Sequence, residues 1–472
     1  MNLLMKFRKS IMLVLKVLIL MSVSFVFINC WQNNYQIALF SSKGNYVVIL
    51  TYYLFLLLFG TLYGGFKIGT TRRNEVIYSI ALSTFFTNIL MYLVLSLVAR
   101  VLLNPLALIL ATVLQLVVIF LEVHAADSIY YSLYKAHRIV AVTDGRDDKT
   151  HIINKMSRIK QRYNIGEVVL TNRPMPEILK IIDGYEAVLI CNFEKSQQNE
   201  ILRYCYANKK RIYFLPSSND IIINSLHQAQ VYDTPILVCR NNGLTIEQQI
   251  IKRTLDLLIS GIGLIISSPI FLLIALSIKL YDKGPVFFKQ NRVTKDGKIF
   301  NVLKFRSMIV DADKVKLRKA TSNDDRITPV GKVIRPLRLD ELPQLLNILK
   351  GDMSFVGPRP ERTENVYEYT KLLPEFDLRH RVKGGLTGYA QIYGKYNTSP
   401  QDKLNMDLIY IQHYSIFLDI KLVIMTLKIL FMRESTEGFS DEDSQIGNIA
   451  GHVDAEPKNP PEPANENPVD DK

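Results

Sequence analysis

The chain has 472 residues, 57 Lys and Arg against 44 Asp and Glu for a formal net charge of +13, and a 48% hydrophobic share. At roughly 150 residues per domain, that length allows about three domains. Its four cysteines (Cys30, Cys191, Cys205, Cys239) have no metal-ligand spacing, which excludes a disulfide scaffold or zinc module and reads as reduced thiols of a cytosolic part.

Apolar residues crowd into the first quarter, in stretches long enough for a bilayer, which takes about 20 residues. Four spans are predicted, at Ile11 to Ile28, Val47 to Phe66, Val76 to Val98 and Val101 to Leu121. No small-residue cleavage site follows the first, so it reads as an anchor. Lys6, Arg8 and Lys9 precede span one, Lys67, Arg72 and Arg73 separate spans two and three, and Lys135 and Arg138 follow span four. The opposite loops hold Lys43 and Arg100. The cytoplasmic side carries the excess of Lys and Arg, which puts both ends of this bundle in the cytoplasm. The basic body suits an anionic leaflet or an anionic substrate and needs no nucleic acid.

From Arg138 short apolar runs alternate with helical ones: RIVAVTD, a helix near Ile152 to Tyr163, EVVL, AVLIC, a helix near Glu194 to Asn208, and RIYFL. Alternating strands and helices predict a parallel, doubly wound sheet, a Rossmann-like domain over 135–246. Its first strand runs into Thr143-Asp144-Gly145-Arg146-Asp147-Asp148, one glycine among acids where a dinucleotide site needs GxGxxG. A cofactor-free structural or regulatory domain is favoured over a dinucleotide site.

Ile250 to Leu280 is long enough for a fifth span. Two features oppose a crossing. Ser267-Ser268-Pro269 lies at its middle, where proline removes a helical hydrogen bond, and a fifth crossing would carry the rest of the chain outside. A helix bent at Ser268 and Pro269 enters and leaves by the same face.

Downstream, Lys304-Phe305-Arg306-Ser307-Met308 offers cations at a strand end or helix start. The segment from Ile334 to Glu361, IRPLRLDELPQLLNILKGDMSFVGPRPE, concentrates the chemistry. Leu342, Leu345, Leu346 and Leu349 form an apolar stripe on a short helix that Pro343 starts and Gly351 ends. Asp340 and Glu341 then stand at its N-terminus, where backbone N–H groups favour anions. Such a pair before a proline is most often a cap and first-turn charge. Arg335 and Arg338 upstream, and Arg359 in the stiff Gly357-Pro358-Arg359-Pro360-Glu361 turn, add a cation density that suits phosphate.

Six segments in order, KRTLD, the Ser-Pro break, GPVFFKQNRV, KFRSM, LDELPQLLNILKGDMSFVGPRPE and GLTGYAQIYGKYN, resemble the monotopic polyprenyl-phosphate phosphoglycosyl transferases, also called bacterial sugar transferases. The likeness covers about 248 to 432. Lys383-Gly384-Gly385 departs from it where many members carry Pro-Gly.

The resemblance implies the long form of the family: an α/β membrane protein with a four-helix transmembrane bundle (1–134), a degenerate Rossmann-like domain (135–246) that offers a dimer surface, and a mostly helical monotopic catalytic domain with a re-entrant helix (247–433). It implies transfer of a hexose-1-phosphate from a UDP-sugar to polyprenyl phosphate with release of UMP, at the cytoplasmic face of a bacterial inner membrane, beginning capsule or exopolysaccharide synthesis. Asp340 would attack the sugar-bearing phosphate and hold a covalent phosphosugar. Glu341, with Asp340, would bind Mg²⁺, and Arg359, Arg335, Lys304 and Arg306 would hold phosphate oxygens. The rival reading is a non-catalytic membrane regulator or scaffold that senses a nucleotide.

Further on, Ser415 to Phe431 has a helical apolar stripe that lies in the membrane interface or packs on the catalytic domain. The tail, 434–472, is acidic and proline-rich, and reads as disordered.

Overall fold

A computed structural model of the chain describes residues 7–35, 37, 40, 43–239, 243–310, 326–394 and 398–430. The acidic tail, and the expectation of disorder there, lie outside the described residues. The chain opens with four apolar helices, α1 (Arg8–Asn34), α2 (Gly44–Tyr63), α3 (Arg73–Ala99) and α4 (Leu106–Leu133). Each is long and apolar enough to cross a membrane. They pack together around Phe27, Tyr52, Met91 and Ile119. Polar side chains join all four: Tyr52 donates to Asn88 at 3.0 Å, Asn88 to Gln115 at 2.7 Å, and Gln115 to Tyr52 at 2.9 Å and to the Val23 carbonyl at 2.8 Å. Where lipid surrounds helices, such interhelical bonds fix which faces meet. The fourth helix starts at Leu106, later than the expected Val101. Pro105 precedes it, and the Asn104 side chain accepts from the Leu106 N–H at 3.0 Å. It also runs past Leu121 to Leu133.

A parallel sheet follows. Its elements are β1 (His137–Thr143), α5 (Asp147–Ser157), β2 (Tyr163–Leu170), α6 (Met175–Asp183), β3 (Ala187–Ile190), α7 (Lys195–Ala207), β4 (Arg211–Phe214) and α8 (Ser218–Asn224). The strand order is β2-β1-β3-β4, all parallel. Strands β1 and β3 are buried on both faces, and so read as continuous apolar runs. The first helix ends at Ser157 and not at Tyr163, because Tyr163 opens β2 as the rung opposite His137. Helices α6 and α8 were not anticipated, nor was the exposed antiparallel hairpin of β5 (His227–Val231) and β6 (Thr234–Val238).

Helix α9 (Ile246–Asp282) begins with a capping box between Thr245 and Gln248 and passes through Ser267-Ser268-Pro269 as one element. Pro269 has no N–H for the Ile265 carbonyl; Ser268 Oγ donates to that oxygen at 2.8 Å instead. One face of α9 packs on the following domain through Leu264, Phe271, Ile274 and Ile278, while Ile265, Ile266, Leu272 and Leu273 stay exposed.

Next come the antiparallel β7 (Phe287–Val293) and β8 (Ile299–Phe305), α10 (Pro329–Ile334), a 3₁₀ turn at Leu339–Glu341, and α11 (Gln344–Lys350). Strand β9 (Ser354–Val356) pairs in parallel with β10 (Gly385–Thr387). Between them lie α12 (Thr363–Leu372) and a 3₁₀ segment, Pro374–Arg381. The chain closes with α13 (Tyr389–Tyr393), α14 (Pro400–Gln412) and α15 (Ile416–Leu430).

The last helix packs on the domain that follows α9: Leu422 is buried beside Val356 and Tyr410. Its Lys428 also reaches the membrane helices, donating to Ser79 Oγ at 2.8 Å and to the Tyr63 carbonyl at 3.4 Å. Helix α8 sends Ile221 into a cluster with Phe376, Leu404 and Leu408, so the sheet domain completes part of the next domain's core.

Candidate active site

Local geometry brings the charged residues together. Strand β8 ends at Phe305 and delivers Lys304. Asn347 locks α11 against that strand, accepting from the Leu303 N–H and donating to the Asn301 carbonyl, both at 2.9 Å. Those bonds explain why Asn347 is buried while Leu346, expected on the apolar stripe, is 38% exposed. Arg338 sits at φ 54°, a strained left-handed conformation for a residue with a side chain, immediately before the Leu339–Glu341 turn. Gly351 ends α11 at φ 95°.

The Gly357-Pro358-Arg359-Pro360-Glu361 turn follows β9. It is held by Gly357 N–H to the Thr387 carbonyl and Gly385 N–H to the Pro358 carbonyl, both 2.8 Å. A side chain at Gly357 would run into the Lys383 carbonyl and Gly385. Only glycine fits there.

Glu341 is the hub. Its Oε1 accepts from Lys304 Nζ at 2.8 Å and from Arg359 Nη2 at 2.7 Å. Burial would raise this carboxyl, but Arg359 and Lys304 overcome that and hold it well below the usual carboxylate range. Its neighbour behaves differently. Asp340 is partly buried and accepts no hydrogen bond from a described residue. Burial pushes its carboxyl up to about 6, against the pull of Lys304, Arg335 and Arg359, with Glu341 adding to the rise. Arg359 stays 37% exposed at its side chain, so part of its fork remains open to a ligand.

Of the residues expected to meet phosphate, Lys304, Arg335 and Arg359 gather around the acid pair. Arg306 does not. It is buried and paired with Asp282 at the end of α9. Arg292 was not foreseen: it is driven down to about 10 by burial and the adjacent Arg359, and its Nη1 donates to the Pro360 carbonyl at 3.1 Å. Arg338 also lies near the pair, lowered by burial against the pull of Glu341 and Asp340.

Among the described residues no three His, Cys, Asp or Glu side chains gather as a full metal cage. Two carboxylates, one of them without a hydrogen-bonding partner among the described residues, still fit Mg²⁺, which takes one or two protein carboxylates and completes its shell with water and substrate phosphate.

The model of the family described as bacterial sugar transferase matches residues 247–433. The chain is 42% identical over 218 residues to a UDP-glucose:undecaprenyl-phosphate glucose-1-phosphate transferase of Klebsiella pneumoniae, the match covering 45% of each chain. It is 42% identical over 181 residues to a UDP-N-acetylgalactosamine-undecaprenyl-phosphate N-acetylgalactosaminephosphotransferase of Aeromonas hydrophila, covering 38% of this chain and 43% of that one. It is 38% identical over 189 residues to a UDP-glucose:undecaprenyl-phosphate glucose-1-phosphate transferase of Caulobacter vibrioides, covering 39% of this chain and 71% of that protein. The match thus spans less than half of the first two relatives and most of the third, and every residue of the Glu341 hub falls inside the segment that the family shares. The chain is a member of the bacterial sugar transferase family.

Proposed function

We propose that this protein transfers a hexose-1-phosphate from a UDP-sugar to a polyprenyl phosphate in the membrane and releases UMP. The observation that carries the reading is the division of labour between adjacent carboxylates: Glu341 is tied down by Lys304 and Arg359, while Asp340 lies beside those cations and accepts no hydrogen bond from a described residue. An untied, partly desolvated carboxylate is a reasonable nucleophile. In the first step an Asp340 oxygen bonds to the sugar-bearing phosphorus and the P–O bond to UMP breaks. In the second, an oxygen of polyprenyl phosphate attacks that phosphorus and frees Asp340. Arg359 and Lys304 balance charge as the diphosphate comes apart, and Glu341 keeps both cations in place. Mg²⁺, held by Glu341 and Asp340, would supply further neutralisation of the diphosphate. The names of the relatives include both glucose and N-acetylgalactosamine donors at equal identity, so the donor is proposed here as a hexose class.

The same reading takes α1 to α4 as spans and α9 as re-entrant, with the catalytic domain on the cytoplasmic face. Leu264 and Phe271 lie on either side of Pro269, about 10 Å apart along a helix, and their clusters both include Leu342. A crossing helix would need about 30 Å of free length between such contacts. Contact of Lys428 with the Tyr63 end of α2 and with Ser79 of α3 puts the catalytic domain beside the basic loop of Lys67, Arg72 and Arg73, which supports the cytoplasmic assignment.

The test is incubation of membranes holding the protein with labelled UDP-sugars and polyprenyl phosphate. Label should enter the lipid fraction with one equivalent of UMP. If no UDP-sugar in a panel covering glucose, galactose and their N-acetyl forms labels the lipid, the reading is wrong.

A further inference from the structure

Three consecutive carbonyls of the turn that carries Arg359 are gripped from behind. Arg379 Nη2 donates to the Arg359 carbonyl at 2.9 Å, Arg292 Nη1 to the Pro360 carbonyl at 3.1 Å, and the Val293 N–H to the Glu361 carbonyl at 3.1 Å. Arg379 is 2% exposed and its counter-ion, Asp407 at 2.7 Å, is 1% exposed. One turn earlier on α14, Lys403 donates to Glu361 Oε1 at 3.3 Å. Lys403 and Asp407, four residues apart, thus present one face of α14 to the turn.

Another side of α14 is docked on the parallel-sheet domain. Gln401 donates to Ser218 Oγ at 2.8 Å, Ser218 Oγ donates to Asn405 at 3.2 Å, and Asn405 donates to the Pro216 carbonyl at 3.3 Å. Lys155 pairs with Asp402 at 3.3 Å. Ile221 packs against Leu404 and Leu408. These contacts come from the segment after β4 and from α5, and α8 itself is fixed by a capping box of Ser217 and Asp220, with Lys195 on Asp220 at 2.7 Å.

We propose that Arg379 is a positioning residue for Arg359, and that the parallel-sheet domain acts on the active site through α14, which supplies the counter-ion Asp407. This rests on the transferase reading above. A buried guanidinium that spends one nitrogen on both a carboxylate and a main-chain carbonyl cannot shift without moving the turn. The turn in turn sets the reach of the Arg359 fork to Glu341. Small displacements of a group that meets the reacting phosphate are costly in rate. A domain without an evident phosphate cradle therefore has a role as a brace for the phosphate-facing turn.

The experiment uses the full chain in detergent with UDP-sugar and polyprenyl phosphate, following UMP release at steady state, and compares wild type with Arg379→Lys, Ile221→Ala and the double variant. Arg379→Lys keeps a cation beside Asp407, but its nitrogen ends on a shorter stem short of the Nη2 position and cannot hold both Asp407 and the Arg359 carbonyl there. Its kcat should fall about tenfold, with a smaller change in KM. Ile221→Ala touches no charged group, and its kcat should fall about threefold at a temperature well below its unfolding transition. If the two act along one route, the double variant falls by less than the product of the single effects. A purely structural role would lower the unfolding temperature of both while leaving kcat and KM of the folded protein at wild-type values, and that result overturns the proposal. So does a double variant whose loss equals the product. Should Arg379→Lys not fold, wild-type kcat in folded Ile221→Ala is the overturning result. If wild type itself releases no UMP from any UDP-sugar, the transferase reading fails instead.

Discussion

Replacing Asp340 by Asn removes a charge without changing the side chain's shape, and the surroundings of Asp340 give that change a sign. Burial raises the carboxyl from an ordinary 3.8 to about 6. Two units at about 1.4 kcal/mol each make about 3 kcal/mol of penalty for keeping the ionised form folded, and about half of that survives solvent screening at a partly exposed group. Between 3.8 and 6 the folded protein holds a proton that the unfolded chain has lost, so stability falls as pH rises through that window and the whole penalty is present above it. At pH 8 without added metal, Asp340→Asn should therefore be more stable than wild type, with a melting temperature roughly 5 °C higher for a domain of this size. Near pH 4 the wild-type carboxyl is protonated in the fold and the gain should shrink toward zero. Thermal unfolding in detergent with EDTA, at the two pH values, measures this. A lower melting temperature for Asp340→Asn at pH 8, or a gain of equal size at both pH values, would refute the reasoning. The same variant should release no UMP, the combination expected where a strained group serves activity at the expense of stability.

Other outcomes follow from the contacts. Arg359→Lys keeps a positive charge near Glu341 but not a planar fork open to phosphate, so kcat/KM for UDP-sugar should fall by about 10- to 100-fold in steady-state UMP release; an unchanged value would remove Arg359 from the site. A chain starting at Leu244 loses Ile221 and uncovers Phe376, Leu404 and Leu408. Its denaturation midpoint in detergent should correspond to a loss of about 2 kcal/mol, and an identical midpoint would mean the sheet domain does not complete that core. A cysteine replacing exposed Lys298 should resist an impermeant thiol reagent in intact cells and react after the membrane is opened. Reaction in intact cells would mean that α9 crosses the bilayer.

The parts of the molecule that local pattern dictates could be read from sequence, and those set by distant contact could not. Four apolar runs gave four helices, and the apolar runs of β1 and β3 gave a parallel sheet, since burial on both faces leaves a continuous apolar signature. Asp340 and Glu341 stood out as a pair, yet nothing local shows that Lys304 and Arg359 both converge on Glu341, or that Asp340 is left out of that hub. Arg306 was expected beside Lys304 as a second cation at a strand end or helix start. Strand β8 ends at Phe305, so alternation no longer governs where Arg306 goes, and Asp282 captures it. Counting leucines found only part of the buried face of α11: Leu345 is in the core with Leu342 against it, but Leu346 is exposed and Asn347, polar in composition, is buried by its bonds to β8. Arg292 and Arg379 act on main-chain carbonyls, which carry no residue identity, so no motif announces them.

The glycines beside the Arg359 turn bear on how such an enzyme can diverge. Gly357 and Gly385 meet main chain to main chain, and Gly388 lies against the Gly357 carbonyl, with no room for a side chain on either surface. A seam built of peptide units offers no side chain to resize, so no single substitution there can widen or narrow the site by degrees. Changes of donor preference must then arise from residues that surround the hub without belonging to this seam, and libraries aimed at a new sugar are best spent away from Gly357, Gly385 and Gly388.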